Sequence, residues 1–140
     1  MDKRQLGKTD MRLTRLGVGL SEIGSGVTAE TASEVLNTAL DLGINFLDTA
    51  ECYGGSEELL GRAVSHRRNE FFLATKTGHV SGDQTGKDWS AKTVRDSIDR
   101  SLKRMKTDYV DLLQLHSCSV DVLEKGEVIQ ILQEAKQAGK

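Results

Sequence analysis

The chain has 140 residues, 19 basic and 21 acidic side chains for a formal net charge of −2, and a hydrophobic share of 37%. That length suits one domain of ordinary size. The composition excludes disordered and collagen-like chains, and the near-balance of charge gives no bulk attraction to nucleic acid or to an anionic membrane surface. No stretch approaches the roughly 18 consecutive apolar residues of a spanning helix, and the start Met1-Asp2-Lys3-Arg4-Gln5-Leu6 lacks the apolar centre of a signal peptide. A cytoplasmic location is therefore expected. The two cysteines, Cys52 and Cys118, form no CxxC pair and are too few for a secreted disulfide framework.

In chain order, Lys3 to Leu13, with the turn-like Gly7-Lys8-Thr9-Asp10, predicts a two-stranded hairpin. Arg15 to Leu20 predicts a short apolar strand that runs into a loop from Ser21 to Gly26. Thr28 is placed to cap a helix with Ala32, Val35, Leu36, Ala39 and Leu40 on one face, and Gly43 to stop it. Ile44 to Ala50 is the second strand. Beyond Gly54-Gly55, Ser56 is expected to cap a second helix with Glu57 and Glu58 in its first turn and His66, Arg67 and Arg68 in its last, burying Leu59, Leu60, Ala63 and Val64. Phe71 to Lys76 makes a third strand, followed by a loop from Gly78 to Trp89. A helix from about Ser90 carries Val94, Ile98, Ser101, Leu102 and Met105 on one stripe. Val110 to His116 reads as a fourth strand, and a fourth helix turns Val128, Ile131, Leu132 and Ala135 inward before ending at Gly139.

Strands that each precede a helix pair in parallel through right-handed crossovers, which puts the helices outside an inner sheet. Two architectures fit: an open doubly wound sheet, or the first half of a (β/α)₈ barrel, which typically takes about 250 residues. In either, the C-terminal strand ends open on one rim, and three of them carry ionisable groups: Asp48 with Tyr53 just beyond it, Lys76, and His116. Asp48 and Lys76 on neighbouring strands, about 4.8 Å apart, are within reach of an ion pair. A phenol titrates near pH 10, and an ammonium beside it favours the phenolate, so Lys76 can make Tyr53 a better proton donor and acceptor. Asp48 would hold Lys76, and His116 would give a hydrogen bond to a carbonyl oxygen beside Tyr53. None of these groups carries a hydride, and a nicotinamide is the obvious donor.

Other patterns have plainer readings. Cys52, His79, His116 and Cys118 fall near the same rim without the spacing of a compact zinc site, and no metal is expected. Arg100, Lys103, Arg104 and Lys106, towards the end of a helix, read as a solvated face that suits the helix dipole rather than as a nucleic-acid or phosphate patch. Gly17, Gly19, Gly24 and Gly26 do not make the GxGxxG spacing of a dinucleotide loop.

The stretches Gly43-Ile44-Asn45-Phe46-Leu47-Asp48-Thr49-Ala50-Glu51-Cys52-Tyr53-Gly54, Ser56 to Gly61, Ala74-Thr75-Lys76-Thr77-Gly78 and Asp108 to His116, in that order, resemble the aldo-keto reductase family. The opening Leu6-Gly7-Lys8-Thr9 is similar to that family's barrel-bottom cap. The resemblance implies an α/β fold of (β/α)₈ TIM-barrel type in which residues 1–140 supply the first four βα units and an N-terminal β-hairpin. It also implies NADPH-dependent reduction of a small aldehyde or ketone. The matching roles fall on Tyr53 as proton donor, Lys76 and Asp48 as its tuning pair and His116 as the orienting group, with Gly19, Leu20, Ser21 and Asp48 towards the cofactor. Leu20-Ser21 stand where the family often has Thr-Trp, and the family's grip on the carboxamide, pyrophosphate and 2′-phosphate comes from strands five to eight. The alternative is a non-catalytic half-barrel that self-associates through the open edges of its first and fourth strands.

Overall fold

In a computed structural model that describes residues 1–82 and 85–140, the N-terminal residues pair as an antiparallel ribbon, β1 (Lys3–Gln5) with β2 (Arg12–Thr14). Residues 83 and 84, inside the loop expected from Gly78 to Trp89, lie outside the described residues. A parallel sheet follows in the order of the chain: β3 (Val18–Gly19), β4 (Phe46–Asp48), β5 (Phe72–Thr77) and β6 (Leu112–Leu115). Between the strands run α1 (Ala29–Asp41), α2 (Ser56–Val64) with a 3₁₀ segment over Ser65–Glu70, and α3 (Ala91–Met105). α4 (Val120–Glu124) and α5 (Glu127–Gln137) come last.

Three of the four parallel strands are shorter than the apolar runs predict, while β5 keeps its expected six residues, shifted by one. Ile44 to Ala50 contracts to Phe46–Asp48, and Val110 to His116 to Leu112–Leu115. Single bonds continue past the ends, from Thr49 N to Ala74 O at 2.9 Å and from His116 N to Thr77 O at 3.0 Å, and they keep the rim residues in step with the sheet.

Because side chains alternate along a strand, the register sorts the sheet into two faces. Leu47 lies beside Leu73, and Thr75 and Thr77 beside Leu113 and Leu115; these turn towards the helices. There Leu47 and Leu73 join Leu36, Leu40, Leu60 and Met105 in one core cluster, while Leu113 and Leu115 pack on Val94, Ile98, Val128 and Ile131 in another. Gly19, Asp48 and Ala74 line up on the opposite face, as do Phe46 with Phe72, Ala74 with Leu112, and Lys76 with Gln114.

The hydroxyls of Thr28 and Ser90 cap α1 and α3, accepting from Thr31 N and Thr93 N at 3.2 Å each. Four local expectations change. Val35, at the margin of its stripe, is 48% exposed, because α1 packs chiefly on α2 through the other residues of that stripe. Ser56 is not a cap: Gly55 holds that position, and the buried Ser56 hydroxyl donates to Leu20 O at 2.9 Å. His66, Arg67 and Arg68 lie in the 3₁₀ segment rather than in the last turn of α2. The fourth helix is two, divided at Gly126, whose φ of 73° no α-helix accommodates.

Asn45 ties the ribbon to the sheet. Its Oδ1 accepts from Thr14 N at 2.7 Å and its Nδ2 donates to Arg12 O at 3.0 Å, with the residue 7% exposed.

Candidate active site

Lys76, near the end of β5, sends its Nζ to Asp48 Oδ2 at 2.7 Å and to Thr49 O at 2.8 Å. The ion pair expected between neighbouring strands is formed, with the Lys76 side chain 14% exposed and that of Asp48 31%, so it is partly solvated on the carboxylate side. The other Asp48 oxygen accepts from Gln114 Nε2 at 3.1 Å. Sequence reasoning passed over Gln114; its signal was its place on β6 two residues before His116, opposite Lys76 in the register.

Tyr53 stands on the loop between β4 and α2. That loop is held from two sides, by Tyr53 N on Ala50 O at 3.1 Å and Ser56 N on Tyr53 O at 3.0 Å, and by the paired hydroxyls of Thr49 and Ser56 at 2.9 Å. The loop after β3 presses against it. A Cβ on Gly24 would overlap Tyr53 O and the amide nitrogens of Gly55 and Ser56, so only glycine fits this crossing. The outcome is a phenol ring with the Lys76 ammonium 4.8 Å from its centroid and the His116 ring at 5.6 Å, edge to face.

His116 follows β6. Its Nδ1 lies 3.2 Å from Cys52 Sγ, and its ring meets that of His79 at 5.2 Å. Burial, with His79 and Lys76 acting in the same sense and Asp48 opposing, moves the His116 imidazole below its usual value, which favours the neutral ring at neutral pH. His79 packs on Trp89 at 4.9 Å between centroids and bonds to Asp88 Oδ2 at 2.8 Å through Nδ1. Asp48, Tyr53, Lys76 and His116 are thus brought together, with the aromatic wall of His79 and Trp89 beside them.

The residues expected towards a cofactor separate. Gly19 is exposed and a Cβ there would meet nothing within 4 Å, and Ser21 is exposed as well. Leu20 corrects the expectation. At 2% exposure its side chain belongs to the core, its N–H donates to Asp48 O, and its carbonyl accepts from Ser56. A concavity of about 470 Å³ runs along the inner face past Gly19, Phe46, Asp48, Leu112 and Gln114.

Arg100 and Arg104 also depart from the solvated face expected of them. Arg100 Nε donates to Glu51 Oε1 at 2.8 Å, while Arg104 reaches Glu58 at 2.7 Å and Glu57 at 3.6 Å. Glu51 and Glu57 are 3% and 1% exposed, so α3 cations compensate buried acids behind the Tyr53 loop. Cys52 and Cys118 are both free thiols. Among the described residues no group of three or more His, Cys, Asp or Glu side chains is gathered as a metal would need, and no helix is long and apolar enough to cross a membrane.

The sequence model of the aldo/keto reductase family matches residues 15–140. The chain belongs to that family. Among aldo/keto reductases and related oxidoreductases, it is 38% identical over 99% of its length to the oxidoreductase YqkF of Bacillus subtilis, covering 46% of that protein. It is 39% identical over its whole length to the L-galactose dehydrogenase of Arabidopsis thaliana, again covering 46%. Its backbone superposes on the holo form of an aldo-keto reductase from Bacillus halodurans with a TM-score of 0.88 at 37% identity, over 99% of this chain and 47% of that one. The chain therefore spans about half the length of the relatives it matches. Its α/β fold with a parallel sheet is that of a fragment of a TIM-type barrel.

Proposed function

We propose that this chain carries the proton-handling part of an NADPH-dependent carbonyl reductase that converts small aldehydes or ketones to alcohols. The observation that carries the reading is the convergence of Asp48, Lys76, Tyr53 and His116 on one rim, with Lys76 bonded to Asp48 and poised over the Tyr53 ring. We read residues 1–140 as the first four βα units and the N-terminal hairpin of a (β/α)₈ barrel, and place the protein in the cytoplasm, where its two free thiols would stay reduced.

The open backbone at Gly19, the exposed Ser21 and the polar pair Asp48–Gln114 fit the edge of a nicotinamide laid beside Tyr53. The nearest cations behind the site, Arg100 and Arg104, are committed to glutamates, which leaves the phosphates to groups beyond this rim. When bound, the reduced nicotinamide supplies the hydride that the carbonyl carbon takes up. In this reading Tyr53 gives its hydroxyl proton to the carbonyl oxygen, and the Lys76 ammonium opposes the charge left on the phenolate. Asp48 and Thr49 O hold Lys76 in place for that role. His116 donates to the carbonyl oxygen and fixes its direction relative to Tyr53.

Two findings favour this over a non-catalytic, self-associating half-barrel: the family match, and the oxidoreductase character of the relatives, including the L-galactose dehydrogenase of Arabidopsis thaliana. The test is Tyr53→Phe in an active preparation. Reduction of an aldehyde, followed by NADPH oxidation, should fall about 10²- to 10⁴-fold, the usual weight of a positioned acid. Undiminished turnover would remove Tyr53 from the role.

A further inference from the structure

The thiol of Cys52 and the ring of His116 meet at 3.2 Å, Sγ to Nδ1, at the mouth of the site. Cys52 is the residue immediately before Tyr53, so one short segment carries both the phenol and the group that touches the imidazole. We infer that Cys52 is a positioning residue: its thiol donates to His116 Nδ1 and so places the ring's single proton on Nε2, where it can be given to the oxygen of a carbonyl substrate. This rests on the reading of His116 as the group that orients that oxygen.

The direction of the bond follows from the partners. A neutral imidazole has one donor and one acceptor nitrogen, a thiol is a weak donor, and its sulfur is a weaker acceptor than an imidazole lone pair. S–H to nitrogen is therefore the better of the two arrangements, and it makes Nδ1 the acceptor. The surroundings agree. Burial raises the Cys52 thiol above its usual range, with Glu51 and Glu57 acting in the same sense and Lys76 against, so sulfur keeps its proton at neutral pH. The groups that face the ring, His79 and Lys76 on one side of the balance and Asp48 on the other, with burial dominant, keep it neutral. Were the thiol an acceptor, Nδ1 would hold the only proton and Nε2 would be a bare lone pair facing another lone pair on the carbonyl oxygen. The tautomer thus decides whether His116 attracts the substrate or repels it.

The test reads the ring nitrogens directly and needs neither substrate nor cofactor. The protein is labelled with nitrogen isotope in its histidine rings and compared by NMR with Cys52→Ser and Cys52→Ala, with the His116 signals assigned by their loss in His116→Asn. Wild type and Cys52→Ser, whose hydroxyl can donate in the same place, should show His116 with a protonated Nε2 and an unprotonated Nδ1. In Cys52→Ala the Nδ1 signal should shift towards the average of a mixed tautomer population. A wild-type ring protonated on Nδ1, or an alanine spectrum superposable on wild type, would overturn the inference. Because the readout is independent of turnover, its failure is distinct from a negative Tyr53→Phe result.

Discussion

Lys76 has two fixed acceptors, and their relative strength sets what its loss would do. Asp48 would keep Gln114 as a partner and is 31% exposed, so Lys76→Met does not strand a buried charge. Thermal unfolding should shift by less than about 1 kcal/mol, as for a partly solvated pair. Carbonyl reduction should fall about 10²- to 10⁴-fold in steady-state kinetics, because the phenolate loses its cation. A large unfolding shift with activity retained would mean that the pair is structural. These residues were legible because strand ends in a parallel sheet share a rim, so four polar positions could be placed without knowing any side-chain angle. Ser56 and Leu20 were not, for the same reason in reverse. A hydroxyl ahead of Glu57-Glu58 looks like a cap, and only the approach of the loop after β3 shows that it bonds Leu20 instead.

α2 and α3 approach so closely that the element pair, rather than either helix, is the unit of stability. A Cβ on Gly61 would overlap the Arg104 carbonyl oxygen and the Met105 backbone, neither of which can rotate away. Gly61→Ala should cost about 1–3 kcal/mol by overpacking, measured by urea unfolding, even though alanine is the better helix former. Glu57 sits in the same interface, and burial lifts its carboxyl above the ordinary range against the bonds from Thr75 and Ser101 and the charge of Arg104. The unfolded chain releases this proton at a lower pH than the folded chain does. Stability from this group is therefore lost as pH rises from the ordinary carboxylate range through the raised folded value. Glu57→Gln, which still accepts from Thr75, should flatten that part of the pH–stability curve; an unchanged slope would assign it to other groups. Nothing in the order of residues announces this interface, since Glu51 and Arg100 meet only after a strand and two helices have packed. The stripe Val94, Ile98, Ser101, Leu102 and Met105, by contrast, needed only a period of 3.6 to be read.

On the scale of the molecule, the helices cover one face of the sheet and leave the other showing the half-buried Phe46, Phe72 and Leu112 below the polar rim. Parallel sheets are ordinarily covered on both faces. With β3 and β6 as open edges, the expectation of self-association predicts a sedimentation mass that rises with concentration for this chain alone. A single-chain mass throughout the range would dismiss it. The alternation of strand and helix made the parallel arrangement readable from sequence, because crossover handedness allows few other outcomes. Strand lengths were less readable: apolar residues continue into the loops that seal the core, as Ala50 and Ile44 do on either side of β4.

The strands also stand side by side in the order in which they are made. β4 finds β3 already present, β5 finds β4, and β6 finds β5, so each of these three strands docks on one made before it. A chain arranged in this way can fold by accretion during its own synthesis. The Asp48–Lys76 bond needs only β4 and β5, so it can be made before β6 docks.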